Sequence, residues 1–136
     1  MNDWEKAKSM LQSGGYTCVL CNGDRVYTSN LRGVRPLLEM LETDVSGFYA
    51  ADKVVGKATA LLYCLLNVRA VHASVISQAA LQVLQRGGIA VSWDSLVDYI
   101  KNRSGDGRCP MEQATEGIDD PQKALIAIQQ KLKELQ

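Results

Sequence analysis

The 136-residue sequence predicts a single α/β domain, a three-layer α-β-α sandwich with helices on both faces of a mixed sheet of four or five strands. Three observations carry this. Asn22-Gly23 stands between two short strand-like runs, the strongest short-range hairpin signal a sequence can give. Two runs rich in valine and isoleucine, 69–76 and 89–93, are separated by a helical segment of about ten residues, which implies parallel pairing through a right-handed crossover. The composition, 46% hydrophobic and 22% charged with three prolines, is that of a chain that builds a core rather than staying disordered.

Taken in order, residues 2–13 form an amphipathic helix with Trp4, Ala7, Met10 and Leu11 on one side, closed by Gly14-Gly15. Tyr16–Cys21 and Arg25–Thr28 are the hairpin strands. A polar connection, Ser29–Arg35, leads to a helix opened by Pro36, with Val34, Leu37, Leu38 and Leu41 as its apolar face. Residues 49–66, YAADKVVGKATALLYCLL, are the longest stretch without a turn signal and read as one central, buried helix. On that helix Asp52, Gly56, Thr59 and Tyr63 form one polar stripe at i, i+4, i+7 and i+11. After the strand 69–76, Ser77 caps a helix closed by Gly87-Gly88. After the strand 89–93, Asp94 caps another helix through Leu96, Val97 and Ile100. Cys109-Pro110 opens a short helical piece, and Asp120-Pro121 starts a C-terminal helix to residue 136 with Ala124, Leu125, Ile128, Leu132 and Leu135 inward.

Fifteen basic and fifteen acidic residues balance, so no overall field draws the chain to nucleic acid or to an anionic membrane. No apolar run approaches the roughly 18 residues of a membrane span, and the N-terminus lacks a signal-peptide core. Four cysteines at irregular spacing in a chain able to bury its own core indicate reduced thiols and a cytoplasmic protein. Cys18 and Cys21 have CxxC spacing, but on a strand they face opposite ways. With His72 the sole histidine, no metal or cofactor site is expected.

Asp52, at the start of the central helix, is the leading catalytic candidate, as base or nucleophile, against the alternative that it only caps the helix. Lys53 and Lys57 lie beside it as anion-binding candidates. Gly56 in a helix costs roughly 1 kcal/mol against alanine, so something packs closely there, a neighbouring chain segment or a ligand. The loop RSGDGR offers Gly105 and Asp106 for close approach and Arg103 and Arg108 for an anion. Cys109, beside a helix N-terminus, is a second candidate nucleophile. Asn30, Arg32, Gly33 and Arg35 could present donors to a phosphate or carboxylate.

Three blocks, NGDRVYTSNLRGVRPLLEML, AADKVVGKATALLYCLL and NRSGDGRCPME, resemble a bacterial family called domain of unknown function 1893. The resemblance runs from about Tyr16 into the C-terminal helix and implies a cytidine-deaminase-like fold. Zinc deaminases place a His or Cys with Ala and Glu at the start of the first crossover helix and Pro-Cys-x-x-Cys at the next. Here the corresponding helices begin Ala51-Asp52-Lys53 and Ser77-Gln78-Ala79-Ala80, with none of those ligands. The expectation is a deaminase-like scaffold without zinc chemistry that binds a nucleotide-like or phosphorylated small molecule. The alternative is a non-catalytic regulatory or interaction module, in which the same blocks serve the fold or a homo-oligomer interface.

Overall fold

The computed structural model describes residues 2–102 and 104–135. Helix α1 (Asp3–Gly14) is capped by the Asn2 side chain, which accepts from Glu5 N–H. Strands β1 (Cys18–Asn22) and β2 (Arg25–Ser29) form the expected antiparallel hairpin, turning through Gly23 at φ +59. The short helix α2 (Arg35–Glu39) carries Pro36 in its first turn, where a missing backbone N–H costs no helical hydrogen bond. Then follow β3 (Tyr49–Val55), α3 (Lys57–Leu66), β4 (Ala70–Ser77), α4 (Gln78–Arg86) and β5 (Ala90–Val97). Helices α5 (Pro110–Ala114) and α6 (Pro121–Glu134) complete the chain. The five strands make one open mixed sheet in the order β2-β1-β3-β4-β5, with β3, β4 and β5 parallel and β1 antiparallel to both its neighbours.

Three expectations are corrected. Residues 49–66 are not one helix: the first part is β3, the central strand of the sheet, and the helix begins only at Lys57. Ala50, Ala51 and Asp52 are all buried because β3 is hydrogen-bonded to β1 on one side and β4 on the other. A strand buried on both faces shows no alternation, so its run of small and apolar residues cannot be told from a helix by period. Gly56, read as a glycine inside a helix, is the boundary itself: its backbone is extended and it occupies the N-cap position of α3. Asp94 likewise caps no helix. Strand β5 runs through it to Val97, in register with β4 from Ala70↔Ala90 to Ser77↔Val97.

The core is uneven across the sheet. One face, under α3, α4 and α6, holds the main cluster, with Tyr63, Phe48, Leu61, Leu62, Leu84 and Ile128 fully buried. The other carries α1, which seats Ala7 and Leu11 on Val19, Cys21 and Ala51. Cys18 and Cys21 fall in different clusters, as alternation along β1 requires. The four cysteines are free.

The crossover from β4 into α4 has no loop. Ser77 is the last residue of the strand and the N-cap of the helix, wholly buried, its Oγ accepting from Ala80 N–H at 3.2 Å. Replacing it by alanine leaves that N–H buried without a partner. Ser77→Ala should therefore lower stability by about 1–2 kcal/mol, read as a reduced urea midpoint at unchanged slope.

Candidate functional site

Strand β3 passes into α3 through a single residue, Gly56, and the site is built on that junction. A side chain at Gly56 would meet Glu112 Cγ at 3.0 Å and Ile100 Cγ1 at 3.2 Å. The segment after β5 and helix α5 therefore press directly on the backbone, which answers what approaches the glycine. Helix α3 has no side-chain cap of its own. Glu112 supplies one from α5: its carboxylate takes hydrogen bonds from Ile100 N–H at 2.6 Å and from the backbone of Lys57 at the first turn of α3. Burial raises the Glu112 pKa, and these hydrogen bonds with the charges of Arg108 and Lys57 offset only part of the rise.

Around the junction opens a cavity of about 750 Å³, within the usual size of small-molecule sites. Asp52, Lys53 and Val54 of β3 form one wall, and Arg32, Gly33 and Arg35 around the start of α2 another. Lys101, Asn102 and Cys109 come from the segment after β5, Met111 and Glu112 from α5, and Leu132 and Leu135 from α6. Among the described residues, four cationic side chains thus share the cavity with two carboxyl groups and a largely apolar remainder.

Asp52 is the unusual member. It is only 5% exposed, and Tyr63, wholly buried on α3, donates its hydroxyl to Asp52 Oδ2 at 2.7 Å. Burial pushes the Asp52 carboxyl up to about 7, with the hydrogen bonds from Tyr63 and from the backbone of Val54 and Lys53 acting in the opposite sense. Burial first, and then the neighbouring Asp52 charge, hold both the Tyr63 phenol and the Cys18 thiol protonated. Cys18 Sγ lies 3.4 Å from the Tyr63 hydroxyl. The result is a carboxyl that changes charge near neutrality, in the wall of a cavity, fixed by a donor that does not titrate there. These properties make Asp52 a candidate general acid or base.

Of the residues the sequence nominated, the structure brings Asp52, Lys53, Arg32, Gly33, Arg35 and Cys109 to this cavity. Others lie elsewhere. Lys57 pairs with Asp119 at 3.4 Å, and Asn30 is on the exposed connection outside the cavity wall. Asp106 is tied to Asn102 at the tip of its loop, where Gly105 takes φ +75. The Arg108 guanidinium stacks on Tyr99, 5.4 Å from the ring centre. Arg103 lies outside the described residues. Asp52 is not a helix cap, and what the polar stripe expressed is a different contact: Asp52, Gly56 and Thr59 line the cavity while Tyr63 holds Asp52 in place. Glu112 and Lys101 escaped the sequence reading. Glu112 stands three residues after Cys109, where a helix-start glutamate ordinarily serves its own helix, so nothing local reveals that it caps α3. Among the described residues, no three His, Cys, Asp or Glu side chains gather closely enough to hold a metal ion.

A family model described as "Domain of unknown function (DUF1893)" matches residues 6–132, the junction and nearly all of its cavity included. The chain belongs to the DUF1893 family. It is also similar to the crystal structure, at 2.70 Å, of a DUF1893 family protein (TM1506) from Thermotoga maritima. The two are 25% identical, the match covers 96% of this chain and 90% of that one, and the TM-score is 0.88. No curated protein matches the chain. The DUF1893 fold in this chain thus comprises the hairpin, the three parallel strands and the helices between them. Among the described residues no helix is long and apolar enough to cross a membrane.

The raised Asp52 pKa fixes the sign of a pH effect. The folded state holds the Asp52 proton up to about pH 7, whereas the unfolded chain releases it near its ordinary 3.8. The stabilising contribution of protonated Asp52 is therefore complete below the unfolded value and is lost as pH rises through 7. Urea unfolding of the wild type should show stability falling by a few kcal/mol between about pH 4 and 8. Asp52→Asn should flatten most of that slope, leaving the contribution of Glu112 in the same sense and that of His72, whose pKa burial lowers, in the opposite sense.

Proposed function

We propose that the DUF1893 cavity binds a nucleotide-like or phosphorylated small molecule and that Asp52 exchanges a proton with it. The single observation that carries this is the buried Asp52 carboxyl, titrating near neutrality in the wall of a ligand-sized cavity. Arg32, Arg35, Lys53 and Lys101 supply cations for an anionic group, and the apolar lining from Val54, Met111, Leu132 and Leu135 suits a less polar body. Cys109 at the cavity wall is the candidate nucleophile if a covalent step is used. Free cysteines throughout fit a cytoplasmic setting.

We infer further that the scaffold is cytidine-deaminase-like, supported by a leading hairpin followed by alternating helices and parallel strands. Zinc chemistry does not fit this donor set. The first crossover helix starts at Gly56-Lys57-Ala58 and the second at Ser77-Gln78-Ala79, positions with no metal-ligating side chain. A second reading, a non-catalytic interaction module, draws on the apolar surface where Val54 is 43% and Tyr99 39% exposed.

Thermal-shift screening against nucleotides, nucleosides and sugar phosphates tests the proposal. A true ligand at a hundred times its Kd should add about 2.7 kcal/mol of stability. Arg32→Ala should weaken binding by roughly 10-fold or more, and Asp52→Asn should remove its pH dependence. No shift from any compound favours the interaction module, and a shift that survives both substitutions places the ligand elsewhere.

A further inference from the structure

Strand β5 is the outer strand of the sheet, and among the described residues nothing pairs with its free edge. It is long for an edge, Ala90–Val97, and lacks the usual protections of proline, lysine or a bulge. Its one charge, Asp94, is turned to the neighbouring strand: His72 Nε2 lies 3.5 Å from Asp94 Oδ2, and His72 Nδ1 2.7 Å from Ser92 Oγ. Trp93 and Leu96 are 39% and 38% exposed. The opposite edge, β2, is shorter, and its Arg25 lies over the Tyr27 and Phe48 rings and donates to the Asp44 carbonyl. Among the described residues only β5 offers a bare backbone edge of this length.

A two-fold axis that pairs β5 with itself must run antiparallel and keep each face of the sheet on its own side. Opposed residues then have numbers of equal parity, so the axis passes through a residue and not between two. Two such registers use nearly the whole strand. Centring on Asp94 pairs 91–97 and sets two carboxylates directly opposite each other, which is destabilising. Centring on Trp93 pairs 90–96, sets Trp93 against its own copy, and places Ser92 opposite Asp94 twice. Hydroxyl meets carboxylate there, on the face where His72 already orients both side chains. We propose that the chain forms a two-fold dimer by antiparallel β5–β5 pairing centred on Trp93, joining two sheets into one.

Sedimentation equilibrium on the full chain tests this, with a dimer at twice the 14.9 kDa chain mass as the expected result. Trp93→Lys, which opposes two cations at the axis on an already exposed position, should weaken the dimer by roughly 100-fold while the far-UV spectrum is retained. Under mild oxidation, Trp93→Cys should form a cross-linked dimer faster than Asp94→Cys does, with the wild-type chain as control for its four native thiols. A wild type that stays monomeric at the highest attainable concentration overturns the proposal, as does a dimer indifferent to Trp93→Lys. Faster cross-linking of Asp94→Cys overturns the register. Binding of an unrelated extended peptide to a monomeric wild type would assign the edge to a different partner.

Discussion

The hydrogen bond from Tyr63 to Asp52 is the contact on which the rest of this structure depends. It joins the central strand to the helix that covers it, and Cys18 at the neighbouring strand completes the polar group. A carboxyl buried to this degree is costly when ionised, and the hydrogen bonds from Tyr63 and the backbone of Val54 and Lys53 offset only part of that cost. The outcome is a group whose proton is held loosely near neutrality. The same contact fixes where the carboxyl points, because Tyr63 is itself enclosed by the main core. Position thus comes from the hydrogen bond, and the raised pKa from burial, which that bond partly offsets.

Charge around the cavity follows a division of labour. The N-terminus of α3, whose free N–H groups would otherwise attract an anion, is taken by Glu112. An anionic group of the ligand proposed above would then face Arg32, Arg35, Lys53 and Lys101 rather than the N-terminus of α3. Arginine contributes fixed paired donors and lysine a mobile point charge, so the two kinds of cation would meet an anion differently.

Most of the fold was legible in the sequence, and the failures have physical causes. Hairpin, caps and helix starts depend on local chemistry at Gly23, Ser77, Pro36 and Asp120-Pro121, and each stands where that chemistry placed it. Residues 49–55 failed because Ala50, Ala51 and Lys53 favour helix while the state of the segment is decided by partners on both sides. Asp94 failed because an aspartate before an apolar run reads alike as a cap or as an edge-strand residue. In the site, Asp52 was legible as a polar residue in an apolar run. Glu112 was not, since its target is an element about fifty residues earlier in the chain, and no spacing rule reaches that far.

The unequal cores on the two faces of the sheet have a consequence for how the molecule opens. Helix α1 rests on a small satellite cluster with Ala7 and Leu11 as its fully buried contacts, while the cavity belongs to the larger core on the other face. Such an element can leave as a unit at a fraction of the global unfolding cost. Its departure would uncover Val19, Cys21 and Ala51 without disturbing Tyr63 or Asp52. Slow amide exchange would then persist across β3 and α3 after the amides of α1 have exchanged. Damage to the N-terminal helix and damage to the chemistry are, by this construction, separate events.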